Sequence, residues 1–250
     1  MLDKMSNNNS INGILVVNKP SGITSHDVVD FVRRRFKIKK VGHAGTLDPL
    51  ATGVLVILLG KATKMSSQIM KDNKEYRVTL KLGIATDSGD SAGKIIYTSD
   101  SFEVKRKNFE KIIKTRFLGV IEQIPPMVSA LKYKGKRLYE LARRQIEIVR
   151  QPRPIHIYDI EIEKFNPPLI DLRVVSSKGT YIRTLCADIG KALGCGGHAA
   201  KMCRLKSGPY LLEDSITIDQ LRKMTGNDLK KVIKRTDGSY LRLRKDRQEA

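Results

Sequence analysis

Residues 41–59 read VGHAGTLDPLATGVLVILL, in which a loop rich in Gly, Thr and Pro runs directly into six consecutive apolar residues. The apolar run at 54–59 has the length of a strand that is buried on both faces. The loop carries one carboxylate, Asp48, and its glycines allow a ligand to approach the backbone closely. An Asp-Pro dipeptide also begins many ordinary turns. The spacing alone therefore leaves two interpretations of Asp48 open, a functional carboxylate and a turn residue.

The segments on either side of this loop predict a mixture of strands and helices. ILVV at 14–17 indicates a buried strand, and the Thr24-x-x-Asp27 pattern is typical of the start of an amphipathic helix. Strands and helices do not alternate with a regular βαβ period. We therefore expect an α+β fold with a mixed, mostly antiparallel sheet flanked by helices and loops. Further predicted elements are strands at 76–84, 155–165 and 169–176 and helices at 108–119, 181–194 and 217–224.

The charge of the chain points to a polyanionic partner. Among 250 residues, 47 Lys and Arg stand against 26 Asp and Glu, a formal net charge of +21. This charge is clustered, since 31–40 holds six basic residues and no acid, and 132–153 holds eight basic residues and two acids. Clustering favours a phosphate-tracking surface over a general solubility bias, which is the alternative. A nucleic acid fits better than a membrane, because the chain has no Trp and no apolar stretch long enough to span a bilayer.

Cysteine and histidine residues predict neither a disulfide framework nor a metal site. The three cysteines form no Cys-x-x-Cys pair, which favours a reduced, cytoplasmic protein. Cys195, His198 and Cys203 would leave a zinc ion one ligand short, and Cys186 lies at the wrong spacing. We expect the thiols to be small buried hydrophobes. The polar N-terminal stretch contains no secretory signal core.

Five long blocks of the chain form an ordered series. They are GILVVNKPSGITSHDVV, VGHAGTLDPLATGVLVILLGKATK, YRVTLKLGIATDSGD, IPPMVSALKYKGKRLYELAR and SKGTYIRTLCADIG. In this order they resemble successive motifs of the TruB family of bacterial tRNA pseudouridine-55 synthases. The resemblance extends from about residue 12 to about residue 224, and five blocks in the correct order are far more specific than any single short motif.

The resemblance implies a pseudouridine synthase fold, an activity and a set of site residues. The family isomerises uridine 55 in the T-loop of tRNA to pseudouridine, and it uses no cofactor and no metal. Asp48 matches the catalytic aspartate, and Arg183 matches the arginine that pairs with it. His43 matches the histidine that wedges into the T-loop. Tyr76 matches the tyrosine that stacks on the flipped base and lies near the abstracted proton. Tyr181 and Met202 fall on further substrate-contact positions, and the family has Leu at the position of Met202. Lys19 and Pro20 match a motif that supports the site structurally.

The chemistry of the reaction agrees with these residue types. The uracil must leave C1′ of the ribose, rotate and rejoin through C5. An ionised Asp can attack the nucleoside or take a proton from the sugar, and a neighbouring Arg keeps it charged. Attack at C1′, attack at C6 and a glycal route all remain open. The target base must also be flipped out of a folded loop, which costs a few kcal/mol that a wedge residue and an aromatic platform offset.

The resemblance also sets the expected domain organisation. We expect a mobile tail at 1–10, a pseudouridine synthase catalytic domain at 11–215 and a short basic C-terminal extension at 216–250. Many family members carry a PUA domain after the catalytic domain, and the extension is too short to hold a complete one. The expected partner is the T-arm of tRNA, bound by a monomer. Two alternatives are a non-catalytic RNA-folding chaperone and the same chemistry on another structured RNA.

Overall fold

The computed structural model describes residues 11–234. The predicted tail at 1–10 and the end of the predicted extension, 235–250, lie outside the described residues. The chain divides into two compact units. The described part of the first unit is 11–74 with 203–234, and the second unit is 75–202.

Strands and helices are mixed along the described part of the chain without a regular βαβ period, as expected for an α+β fold. The strands are β1 Gly13–Lys19, β2 Val41–His43, β3 Thr52–Leu59, β4 Lys74–Leu82, β5 Ile84–Thr86, β6 Ile95–Thr98, β7 Gly119–Gln123, β8 Lys132–Tyr133, β9 Lys136–Arg137, β10 Arg153–Asn166, β11 Leu169–Ser176, β12 Gly197–Ser207, β13 Tyr210–Leu211 and β14 Ile216–Thr217. The helices are α1 Ser25–Arg35, α2 Ser66–Ile69, α3 Arg106–Ile112, α4 Leu138–Arg143, α5 Ile182–Ala192, α6 Ile218–Lys223 and α7 Gly226–Val232. A 3₁₀ turn at Gly60–Met65 precedes α2, and a π-helical turn at Ile113–Phe117 follows α3.

The first unit is built around two fully buried strands. β1 pairs antiparallel with β3 along its whole length, from Gly13 opposite Leu59 to Lys19 opposite Gly53. β2 adds to β3 in antiparallel orientation, whereas β14 runs parallel to β1 and the C-terminal half of β12 runs parallel to β3. Every residue of the apolar run at 54–59 has no exposed surface, which explains why it does not alternate with polar residues.

Helix α1 begins where the Thr24-x-x-Asp27 pattern predicts. The Thr24 hydroxyl accepts a hydrogen bond from the Asp27 backbone N–H, and the Asp27 carboxylate accepts one from the Thr24 N–H, so both partners of a capping box are present. The helix buries Val28, Val29 and Val32 in the core of the unit. Burial of each such side chain contributes about 1.5–3 kcal/mol.

The second unit contains an antiparallel sheet in the order β4-β11-β10-β7. β10 pairs antiparallel with β11, which confirms the predicted pair of strands around Asn166. It also pairs antiparallel with β7, a strand that the sequence patterns do not predict. One face of β4 is buried, with Tyr76 and Val78 on it, and its other face carries charge. Arg77 on that outer face donates two hydrogen bonds to Glu163 at 2.6 and 2.9 Å. The alternation predicted for 76–84 is confirmed as far as Leu82, and it directs Tyr76 inward. The predicted end is wrong, because Ile84 belongs to β5, which pairs with β6.

The pairings confirm a mixed, mostly antiparallel sheet. The predicted strand at 54–59 begins two residues earlier, and the short strand β2 lies within the predicted loop at 41–53. The predicted helix at 108–119 is α3 with its π-helical turn, and the predicted helix at 217–224 is α6. The sequence patterns do not predict helix α7, because its seven residues carry only one fully buried apolar side chain, Leu229.

The three cysteines are free thiols. Cys186 and Cys195 are buried, as expected of small hydrophobes, whereas Cys203 is partly exposed and departs from that expectation. Burial raises the pKa of the Cys186 thiol to about 12, so this residue is not a thiolate at neutral pH. In the described part of the chain, no helix is both long and apolar enough to cross a membrane.

Candidate active site

The loop that carries Asp48 joins β2 to β3 in the first unit, and we call residues 44–51 the Asp48 loop. Side-chain and backbone donors reach the carbonyl oxygens through this loop and near the start of β3, and all of the side-chain donors except Ser21 are buried. Such bonding fixes a backbone that contains no regular secondary structure. The acceptors and their donors are Gly45, Thr46 and Val54 with Arg204, Leu47 with Ser25, Asp48 with the Ala51 N–H, Pro49 with Lys19 and the Gly22 N–H, and Leu50 with Ser21.

Lys19 holds the Asp48 loop from the end of β1. Its side chain has no exposed surface. The ammonium donates to the carbonyls of Pro20, Ile23 and Pro49 at 2.8, 2.7 and 3.0 Å. The supporting role that the resemblance implies for Lys19 and Pro20 thus has a geometric counterpart, since the ammonium ties the turn after β1 to the residue that follows Asp48.

Ser25 fixes the same loop from the first turn of α1. Its hydroxyl donates to the Leu47 carbonyl at 3.0 Å and accepts from the Leu47 N–H at 2.8 Å. The side chain is 2% exposed, so water does not compete for these bonds. The residue just before Asp48 is therefore bound through both of its backbone polar groups.

His43 lies at the end of β2, where it is partly exposed and lies opposite Ile57 of β3. Its carbonyl accepts a hydrogen bond from the Ser66 hydroxyl at 3.3 Å. Asp48 itself is partly exposed on this fixed loop.

Arg183 is the buried cation of the second unit. It lies in the first turn of α5 and is 2% exposed. Its guanidinium donates to the carbonyls of Ser88 and Val128 at 2.7 and 2.8 Å, and its Nε lies 3.5 Å from a carboxylate oxygen of Asp90. A planar guanidinium can satisfy several fixed acceptors at once, which a single ammonium cannot do.

Asp90 is itself held in place by its turn. Its carboxylate accepts from the Ser88 hydroxyl at 2.6 Å and from the Ala92 N–H at 3.0 Å, and its carbonyl accepts from Thr86 at 2.7 Å. In the sequence, the TDSGDSAG stretch at 86–93 indicates only turn chemistry. The structure adds that its second aspartate orients Arg183.

Tyr181 immediately precedes α5, and its backbone is held by one side chain. The Gln123 amide donates to the Tyr181 carbonyl at 3.1 Å and accepts from its N–H at 2.8 Å. Gln123 is 2% exposed and lies 58 residues away in the sequence. Tyr76 is 9% exposed on the inner face of β4, and Met202 is partly exposed on β12.

The predicted site residues are divided between the two units. The first unit holds Lys19, Pro20, His43 and Asp48, and the second unit holds Tyr76, Tyr181, Arg183 and Met202. The sequence patterns do not identify Ser25, Gln123, Asp90 or Arg204 as supporting residues. The capping-box pattern predicts where α1 begins, but it does not predict that Ser25, the first residue of the helix, binds the Asp48 loop. Gln123, Asp90 and Arg204 act on residues that are far away in the sequence. Within residues 11–234, no group of three or more His, Cys, Asp or Glu side chains is placed to hold a metal ion.

We expect the Lys19→Met variant to lose about 2–4 kcal/mol of unfolding free energy, because buried carbonyls lose their donor. Urea unfolding at neutral pH measures the loss. The control is Lys61→Met, which changes an exposed lysine of the same unit and should stay within about 0.5 kcal/mol of wild type. Equal stability of both variants would show that the three hydrogen bonds of Lys19 contribute nothing.

The same residue gives a pH dependence with a defined sign. Burial lowers the pKa of Lys19 from 10.5 to about 8; the Asp48 and Asp27 carboxylates oppose this shift, and Arg204 adds to it. Between these two values the unfolded chain keeps a proton that the folded chain has released, so Lys19 makes folding more favourable as the pH rises. The stability difference between wild type and Lys19→Met should therefore grow from about pH 7.5 to about pH 10. A constant difference would contradict the lowered pKa.

Two family models match the chain in succession. The model described as "TruB family pseudouridylate synthase (N terminal domain)" matches residues 33–182. The model described as "tRNA pseudouridylate synthase B C-terminal domain" matches residues 183–242. The boundary between the two models falls beside Arg183, so the matched regions contain all of the predicted site residues except Lys19 and Pro20.

Curated relatives and a solved structure agree with these models. A tRNA pseudouridine synthase B of Syntrophotalea carbinolica is 47% identical over 218 residues, which cover 87% of this chain and 71% of the relative. A protein of the same name from Geotalea uraniireducens is 49% identical over 209 residues, covering 84% of this chain and 67% of the relative. A solved structure titled "Crystal Structure of a Cbf5-Nop10-Gar1 Complex" contains a chain with a TM-score of 0.70 at 30% identity; the match covers 89% of this chain and 59% of that one. By sequence and by fold, this chain belongs to the TruB family of pseudouridylate synthases.

Proposed function

We propose that this protein isomerises uridine to pseudouridine at position 55 in the T-loop of tRNA, with Asp48 as the catalytic carboxylate and with no cofactor or metal ion. Membership of the TruB family supports the reaction class. The name of the two relatives, tRNA pseudouridine synthase B, supports tRNA as the substrate. The observation that supports Asp48 most directly is the backbone around it, which buried donors hold on both sides.

The reaction is an isomerisation, so every atom of the uridine is kept. The N1–C1′ bond breaks, a C5–C1′ bond forms, C5 loses its proton and N1 gains one. A carboxylate can begin this sequence by attacking the nucleoside or by taking a proton from the sugar. A loop that is already fixed needs no reorganisation when charge develops in the transition state, and such preorganisation is a major source of rate enhancement.

The other site residues have distinct proposed roles. Arg183 stabilises the charge of the catalytic carboxylate, and its planar contacts to Ser88 and Val128 suit it to a fixed position. Tyr76 stacks on the flipped base and lies near the proton that leaves C5. His43 is the proposed wedge in the T-loop, and Tyr181 and Met202 are proposed substrate contacts.

The two basic clusters are suited to contacts with tRNA phosphates. The 31–40 cluster includes the last turn of α1, where Arg34 is 82% exposed. The 132–153 cluster spans the β8–β9 pair and α4, and its Tyr133 is 41% exposed beside Lys134. Exposed cations of this kind release counterions from a nucleic acid on binding. We propose a cytoplasmic monomer in which both clusters follow the T-arm backbone.

The proposal is tested by mapping pseudouridine on unmodified tRNA transcripts incubated with the purified protein. We expect one new pseudouridine per tRNA, at position 55, in the absence of added metal or cofactor. Pseudouridine at another position would keep the reaction and overturn the T-loop assignment. An absence of pseudouridine, with the protein folded and tRNA bound, would favour the RNA-folding chaperone.

A further inference from the structure

Arg204 connects both ends of the Asp48 loop. It lies on the part of β12 that belongs to the first unit and is 1% exposed. Its Nη2 and Nη1 donate to the carbonyls of Gly45 and Thr46 at 3.0 and 3.4 Å, where the loop begins. Its Nε donates to the carbonyl of Val54 at 2.7 Å, just after the loop ends. One planar group thus fixes the distance between the two ends of the segment that presents Asp48.

The backbone around Arg204 is shaped for this close approach. Gly53 has a φ of +98°, and a Cβ added there would lie 2.3 Å from the Arg204 carbonyl oxygen. Gly45 also has a φ of +98°, and its Cβ would lie 3.6 Å from Nη1 of Arg204. Both positions therefore require a residue that adopts positive φ easily, and Gly53 has no room for a side chain. Gly45 in the loop and Gly53 at the start of β3 thus allow the backbone to lie against Arg204.

The charge of Arg204 is unusual for a purely structural residue. Among residues 11–234, its hydrogen bonds all go to backbone carbonyls and it makes no ion pair with a carboxylate. Burial of a cation without a carboxylate partner is costly, and the hydrogen bonds to three carbonyls offset part of that cost. The positive charge of Arg204 therefore stays at the two ends of the Asp48 loop with no carboxylate of the described residues paired to it. Lys19, another buried cation of this unit, is influenced electrostatically by both Asp48 and Arg204. Arg204 therefore acts electrostatically on the Lys19 ammonium, on which Asp48 also acts.

We propose that Arg204 is a positioning residue for the reaction, which holds both ends of the Asp48 loop and supplies positive potential to it. At 1% exposure it does not touch the substrate, so it acts through the loop. This inference rests on the proposed function, since it assigns Arg204 to the same Asp48 chemistry. Neither the motif blocks nor the substrate-contact positions of the resemblance include this residue.

The test compares Arg204→Met, Arg204→Lys and wild type as full-length proteins. We expect Arg204→Met to slow the single-turnover rate at saturating tRNA about 10- to 100-fold, since small misplacements of a catalytic group have effects of this size. The dissociation constant for tRNA should change less than about twofold, because the residue is buried. Arg204→Lys keeps the charge but cannot reach all three carbonyls, so it should recover part of the rate. Arg222→Met is the control, since it removes an exposed arginine from the same unit.

A second readout separates a charge effect from a structural one. In protein labelled with ¹⁵N-lysine, the Lys19 ammonium should titrate near 8 in wild type. It should titrate higher in Arg204→Met, where a repelling charge is lost, and close to the wild-type value in Arg204→Lys. Lys19→Met identifies the signal. An unchanged Lys19 titration in folded Arg204→Met would overturn the charge part of the inference.

The outcomes distinguish this inference from the proposed function. An active wild type with an Arg204→Met variant of equal rate overturns the positioning role and leaves the proposed function standing. A variant that loses tRNA affinity and rate in parallel also overturns it, because that pattern indicates substrate binding. A wild type that forms no pseudouridine overturns the proposed function and the positioning role with it. If Arg204→Met does not fold, the rate and affinity of Arg204→Lys decide the positioning role: a rate equal to that of wild type, or a parallel loss of rate and affinity, overturns it.

Discussion

Replacement of Asp48 by Asn is expected to abolish pseudouridine formation while tRNA binding persists. The amide has almost the same shape as the carboxylate, but it can neither attack the nucleoside nor accept a proton from the sugar. The hydrogen bonds that Lys19, Ser25 and Arg204 donate to the Asp48 loop run to its backbone, so the substitution leaves those bonds in place. We expect a loss of about 10⁴-fold or more in the single-turnover rate, in line with the removal of a nucleophile from other enzymes.

The control for this experiment is Asp100→Asn, which makes the same chemical change at an exposed position. Its rate should equal that of wild type, and both variants should bind tRNA with wild-type affinity. The Asp48→Asn variant also separates catalysis from chaperoning, because a chaperone that only binds and refolds tRNA does not need the carboxylate. Turnover near the wild-type rate in Asp48→Asn would remove Asp48 from the mechanism.

Replacement of Arg183 by Lys is expected to lower the single-turnover rate about 10²- to 10³-fold, the usual effect of removing one preorganised electrostatic donor. The guanidinium meets two carbonyls and the Asp90 carboxylate through three different nitrogens. One ammonium nitrogen cannot occupy all of these positions, so Lys keeps the charge and loses the geometry. Affinity for tRNA should remain within about twofold of wild type, since the side chain is 2% exposed.

Arg173→Lys provides the matched comparison for Arg183. Arg173 lies in the same unit and also pairs with carboxylates, Glu75 and Glu161, but it is 46% exposed on the outer face of the sheet. Exposed ion pairs of this kind contribute little, so its rate and stability should stay close to wild type. Equal rates for the two variants would show that a positive charge suffices at position 183 and that its planar geometry has no catalytic role.

The local features of the fold could be predicted because their causes are local. A capping box operates across four residues, so Thr24-x-x-Asp27 revealed the start of α1. Strand alternation operates across two residues, so the pattern at 76–84 predicted a half-buried strand where β4 lies. The sequence does not predict helix α7, because a short helix with one buried apolar residue shows no periodic pattern of hydrophobic residues.

The supporting residues of the candidate site could not be predicted in this way. Gln123 binds the backbone of Tyr181 across 58 positions, and Arg204 binds Val54 across 150. In the sequence, Arg204 is one basic residue among 47, and its neighbours in β12 include further lysines. Its burial distinguishes it from exposed cations, and burial of a polar side chain depends on the elements that surround it.

The sequence by itself determined many of the elements, the mixed sheet and the family, because helix caps, strand alternation and long motif blocks depend on neighbouring residues. It also placed a carboxylate in a glycine-rich loop. Only the tertiary structure decided how that loop is held, with Lys19, Ser25 and Arg204 donating to its carbonyls from β1, α1 and β12. The physical reason is that a backbone carbonyl accepts from any donor that folding brings within about 3 Å, and such a donor can come from anywhere along the chain.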